Sequence, residues 1–163
     1  MLLRLFVRYS VFLGVGICRE GELPFLIAHL SLHSEDGERS LDMGSQIGRE
    51  NQAPILYGNL VSSVEHLEDL QGNMGLFFLF PDVSVRWRGR YQLGVTLSRI
   101  SNSDASGVHN IAETGTHLCR VRTAAFDVVP LNEYAAAPPT RLTQAFVRQG
   151  ARMFSLLSGS GQS

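Results

Sequence analysis

The chain has 163 residues, 44% of them hydrophobic and 18% charged, with a formal net charge of −1 at pH 7. That length suffices for one domain with a buried core, and the composition is too apolar for an intrinsically disordered segment. Two cysteines, Cys18 and Cys119, are too few for a disulfide scaffold and point to a reducing compartment.

The near-neutral total hides an asymmetry. Residues 1–82 carry five arginines against eleven acidic residues, and residues 83–163 carry nine against four, so an acidic half precedes a basic one. Such a division marks a surface facing an anionic partner if the fold keeps the halves apart, and cancels if their strands interleave. Every basic residue is arginine and none is lysine. Arginine's planar fork suits phosphate, although codon bias produces the same composition.

Taken in order, residues 1–24 form an atypical opening. Leu3, Leu5, Val7, Tyr9 and Val11 alternate with Arg4, Phe6, Arg8 and Ser10, a period-two pattern that reads as a strand. Arg4 and Arg8 ahead of the apolar run Tyr9–Ile17 also permit a secretory signal, although no small-x-small cleavage site follows. The run is too short and interrupted to span a bilayer. Phe25–Leu32 reads as a strand and Ser34-Glu35-Asp36-Gly37 as its turn. Ser40–Pro54 is polar and aperiodic, an expected loop. Ile55–Val64 precedes His66–Gly72, which reads as a short loop or a single helical turn.

The most informative stretch is Gly75–Ile100. Leu76–Phe80 is an apolar run of strand length, expected to be buried on both faces, and Pro81-Asp82 punctuates it. Val83, Val85 and Trp87 then alternate with Ser84, Arg86 and Arg88. Beyond Gly89, Tyr91, Leu93, Val95 and Leu97 alternate with Arg90, Gln92, Thr96 and Ser98. Period two on both sides of a glycine predicts an antiparallel hairpin with Trp87 pointing into the core and Arg86 and Arg88 sharing the opposite face.

Ile100–Gly107 is a turn-rich loop, and His117–Val129 reads as a strand pair with Arg120 and Arg122 on one face and Phe126 and Val128 inward. Pro130–Pro139 is a connector. Thr140–Gln149 is the one helix: Thr140 can cap it, Leu142, Ala145, Phe146 and Gln149 share a face, and Gly150 is placed to end it. A last strand over Ala151–Leu157 and a disordered tail over 158–163 complete the expected elements.

The string FFLFPDVSVRWRGRYQLGVTLSRI resembles the central signature of the fungal velvet domain, F-F-x-F-P-D-L-S-V-R-x-x-G-x-Y-R-L-x-F-x-L. PTRLTQAFVRQGARM resembles that family's closing T-P-L-[ST]-x-x-F-x-x-Q-G-V-R-I, in the expected order. The matched signature residues are Phe78, Phe80, Pro81, Asp82, Val85, Tyr91, Phe146, Gln149 and Gly150. The segment Phe25–Gly37 matches the family's x-x-x-A-x-L-x-S-x-D-G well, Ile55–Val64 resembles its L-x-G-x-x-V-S-S segment, and a velvet domain is expected over residues 25–157. The resemblance implies an immunoglobulin-like antiparallel β-sandwich, Rel-like in shape, with a short C-terminal helix. It also implies a nuclear regulator, with shuttling to the cytoplasm allowed, that controls fungal development, sporulation and secondary metabolism. Such a regulator would dimerise with itself or other velvet proteins, bind promoter DNA, and in some members engage a methyltransferase-like nuclear regulator. The family's basic D-R-R-P loop after the first strand is unmatched, its lysine-rich connector is absent, and its closing R-I-R-I-R-K reads Arg152-Met153-Phe154-Ser155.

The residues themselves suggest binding over chemistry. His29 with His33, and His117 with Cys119, lack the second pair that a metal site would need. Asp36, Glu38 and Asp42 fall in an expected turn, and no nucleophile elbow, zincin helix or P-loop is present. No enzyme, metal or cofactor is expected, nor a membrane partner. Candidate DNA contacts are Arg86, Arg88, Arg90, Arg120, Arg122 and Arg152, with Arg141 and Arg148 on the helix; a solvated outer face is the competing reading. Without a basic recognition helix, readout would come from loops and strand ends. Two alternatives stand beside DNA binding: a dimerisation partner with little DNA affinity, and a secreted carbohydrate-binding sandwich.

Overall fold

The computed structural model describes residues 3–5, 20–41, 54–100, 115–130, 132–135 and 138–152. In chain order these form β1 (Leu3–Leu5), a 3-10 turn over Glu20–Phe25, β2 (Leu26–Ser34), β3 (Leu56–Gly58), β4 (Val61–Ser63), β5 (Glu65–Glu68) and β6 (Met74–Phe77). They continue with β7 (Val83–Val85), β8 (Gly89–Ile100), β9 (Gly115–Arg122), β10 (Phe126–Val128) and α1 (Arg141–Arg148). All the pairings between named strands are antiparallel.

Two sheets face one another, giving the antiparallel β-sandwich that the alternation predicts. The first has the order β1-β7-β3. In the second, β8 is central, with β2 and then β4 on one side and β9 and β10 on the other. Leu26, Ala28, Leu30 and Leu32 of β2 and Leu93, Val95 and Leu97 of β8 point inward. They meet Leu56, Val83 and Val85 from the opposing sheet. Each leucine or valine among them, withdrawn from water, contributes about 1.5–3 kcal/mol, so the alternation fixes which face is inside.

A second, smaller core lies beside the first. The hairpin β5–β6 and α1 enclose Leu67, Phe77, Leu79, Phe146 and Ala151, with Leu142 packed against them. Phe77 and Phe146 meet at 4.6 Å between ring centroids, tilted by 59°. The run from Phe77 to Phe80 joins the two cores, since Phe77 and Leu79 face the helix while Phe78 and Phe80 enter the sandwich. Its burial on both faces is as expected, but the ladder ends at Phe77 and the buried Ser62 hydroxyl takes over, accepting the Leu79 N–H at 2.9 Å.

Several expectations are corrected. β7 and β8 are not a hairpin: β7 pairs with β1 and β3, and β8 with β2, β9 and β10. Arg86–Arg88 is the bend by which the chain leaves one sheet for the other, so the alternation is not carried through it. Trp87 is 59% exposed instead of buried. His66–Gly72 holds β5 and a hairpin turn, not a helical turn. His117–Val129 is one interrupted strand; β9 and β10 run the same way along one side of β8, broken at Thr123–Ala125. Thr123 holds the break, its N–H donating to the Leu93 carbonyl at 2.9 Å and its hydroxyl accepting the Leu93 N–H at 3.1 Å. Ala151 and Arg152 are not in a strand. The rest of the expected closing strand, the tail, Cys18, and most of the first strand and of both long loops lie outside the described residues.

Candidate nucleic-acid interface

The six candidate arginines divide by what surrounds them. Arg90 opens β8 and is held by two carboxylates, its Nε lying 3.0 Å from Glu35 Oε1 and a terminal nitrogen 2.9 Å from Asp127 Oδ2. Register explains the second pairing, because Arg90 stands opposite Asp127 in β10. Both pairs are exposed and contribute about 0–1 kcal/mol each to stability, but they compensate the cation. Arg99, the next arginine of β8, is paired with Glu22 at 2.7 Å.

Arg120 and Arg122 share the outer face of the second sheet, as their spacing predicts. Arg120 stands opposite Thr96, and its Nε donates to the Thr96 hydroxyl at 3.1 Å. Arg122 stands opposite Gly94, near the turn at Gly37. On β2, His29 and Ser31 occupy the same two rows. His29 is exposed, while His33 is buried and shares a hydrogen bond with Ser31, its Nε2 3.0 Å from the hydroxyl.

Arg86 is oriented by three contacts. Its backbone N–H donates to the Ile55 carbonyl at 2.8 Å, its Nε donates to the Pro54 carbonyl at 3.2 Å, and its guanidinium lies 5.1 Å from the centre of the Tyr57 ring. Arg88 is exposed in the same bend, its carbonyl accepting the Tyr91 hydroxyl at 3.4 Å. Burial raises the Tyr91 phenol above its ordinary range. Among the described residues, no carboxylate lies within ion-pair distance of Arg86, Arg88, Arg120 or Arg122. Arg152 is exposed just beyond α1, and Arg141 and Arg148 are exposed on the helix itself.

The signature residues serve the scaffold. Phe78, Phe80 and Val85 are in the main core, and Tyr91 packs against it half-buried. The carbonyl of Asp82, after Pro81, accepts the Asn59 N–H at 2.7 Å. Phe146 anchors the small core. Gln149 does not extend the helix's apolar face; its amide completes the edge of β5, accepting the Glu68 N–H at 2.7 Å and donating to the Glu68 carbonyl at 3.0 Å. Gly150, at φ +88°, ends α1 in a Schellman turn, with Ala151 N–H on the Phe146 carbonyl at 3.0 Å and Gly150 N–H on Val147 at 3.0 Å.

Glu35, Asp127 and Tyr57 escape sequence reading as arginine partners. Only the register of β8 with β10 could have signalled one of them, Asp127 opposite Arg90. No three His, Cys, Asp or Glu residues stand together as a metal site among the described residues.

Comparison with known proteins places these observations. The velvet factor family matches residues 30–154. A spore development regulator, vosA, of Cochliobolus sativus is 30% identical over 148 residues, covering 80% of this chain and 40% of that protein. The sexual development regulator VELC of Pyricularia oryzae is 36% identical over 81 residues, half of this chain and 18% of its own length. A velvet complex component of Schizophyllum commune is 32% identical over 117 residues, 67% of this chain and 21% of its own. The chain thus spans less than half the length of each of these relatives.

Proposed function

The chain belongs to the velvet family, and from that premise we propose that it is a regulator of fungal development and sporulation that binds promoter DNA as a velvet dimer. The observation that carries this reading is the split among the arginines. Arg90 and Arg99 are compensated by carboxylates, whereas Arg86, Arg88, Arg120 and Arg122 are exposed without one among the described residues. Exposed guanidinium groups in the bend between the sheets and on the outer face of the second sheet suit a polyanion, and neutralising phosphates releases counterions. The relatives' names, as a spore regulator and as a component of a velvet complex, support a role in development and a velvet-family partner. A nuclear location, control of secondary metabolism and contact with a methyltransferase-like regulator belong to the same proposal.

The compensation of Arg90 by Glu35 and Asp127 favours a second reading, a dimerisation partner that touches little DNA itself. Fluorescence anisotropy of a labelled promoter duplex, measured with the full chain across a salt series, separates the two. DNA contact predicts log affinity falling linearly with log salt, with each Arg→Ala change at 86, 88, 120 or 122 lowering the slope by about 1. Negligible affinity at low salt, with retained binding to a velvet partner, would establish the second reading instead.

A further inference from the structure

Trp87 is the single tryptophan of the chain, and it stands 59% exposed in the bend between β7 and β8. A large aromatic side chain left in water forgoes one of the strongest burial contributions a residue can make. Its neighbours supply the context. Arg86, on one side, is held by Pro54, Ile55 and the Tyr57 ring. Those contacts use its backbone, its Nε and its flat face; neither terminal nitrogen donates a hydrogen bond among the described residues. Arg88, on the other side, is exposed. From Val83 to Gln92 the chain carries three arginines and no acidic residue, and of the three only Arg90 is paired with carboxylates among the described residues, those of Glu35 and Asp127.

Resting on the DNA-binding reading above, we propose that Trp87 is the aromatic contact with duplex DNA. The indole packs against sugar and base edges in a groove, while Arg86 and Arg88 hold phosphates to either side. A large apolar face packed against sugars adds to binding without reading sequence, while flanking guanidinium groups set position on the backbone. Tryptophan and arginine also dominate protein interfaces. Charge decides between the occupants: a protein would need an acidic patch of matching shape, whereas DNA presents negative charge along its whole length.

Because no other tryptophan is present, emission excited at the red edge, where tyrosine does not absorb, reports on this residue alone. Titration with an unlabelled promoter duplex is expected to quench that emission and shield it from acrylamide, following the same isotherm as anisotropy of the labelled duplex. Trp87→Ala is expected to weaken duplex binding by about 5- to 30-fold with little change in melting temperature, and Trp87→Phe to retain most of the affinity. If anisotropy reports binding while Trp87 emission is unchanged and both variants bind like the parent, the Trp87 contact is wrong and the DNA reading stands. An emission change produced by a velvet partner but not by bound DNA overturns the contact equally. Absence of any anisotropy change removes both.

Discussion

At Gly58 the backbone adopts φ +115°, and a Cβ there would collide with the Asp82 carbonyl oxygen, which accepts the neighbouring Asn59 N–H. Gly58→Ala is therefore expected to cost about 2–4 kcal/mol, read as a lower denaturation midpoint in urea with unchanged slope. Two aspartates act through hydrogen bonds. The Ser34 hydroxyl, with the Glu38 N–H, lowers the Asp36 carboxyl below its usual 3.8. The Asn73 N–H, with help from the Asn73 side chain and the Gln71 and Gly72 amides, lowers Asp69 likewise. A carboxyl lowered on folding contributes stability that is complete above its unfolded value and is lost as pH falls through the folded one. Melting temperature should thus fall on acidification below pH 3.8, and Asp69→Asn should flatten that limb. The turn at Ser34–Gly37 was legible from residue type alone, because Asp and Gly close turns by local hydrogen bonding. The collision at Gly58 was not, since it involves Asp82, 24 residues on and just ahead of β7.

Among elements, α1 and the β5–β6 hairpin depend on one another. An eight-residue helix is marginal alone, and a two-stranded hairpin is no better, so each needs the apolar face of the other. Phe146→Ala is expected to cost about 3–5 kcal/mol by opening the small core, visible as lost protection of hairpin amides in hydrogen exchange. Gln149→Ala removes two hydrogen bonds to Glu68 and should cost about 1–3 kcal/mol, with the Glu68 amide the first to exchange. The helix was predictable to within a residue because capping and stopping are local: the Thr140 hydroxyl accepts the Thr143 N–H at 3.2 Å and Gly150 supplies the turn. The hairpin was hidden, because Glu65–Glu68 is short, charged and has one residue, Leu67, facing inward.

For the molecule as a whole, the expectation to check first is electrostatic. Replacing Arg90 should change duplex affinity less than replacing Arg88, since Glu35 and Asp127 already offset its charge; parallel salt titrations of Arg88→Ala and Arg90→Ala test this. The division into an acidic and a basic half is partly dissolved by folding, as β2 and β3 from the first half pair with β8 and β7 from the second. The amino-acid order by itself determined the strand class, the inward face of β8, the helix with both its ends, and the family. All of these rest on periodicity and local hydrogen bonding, which are properties of neighbouring residues. Only the tertiary structure decided that the chain changes sheets at Arg86–Arg88, leaving Trp87 outside, and which arginines meet carboxylates. Alternation says that successive side chains point opposite ways, but not which sheet a strand joins; that is settled by partners distant in sequence.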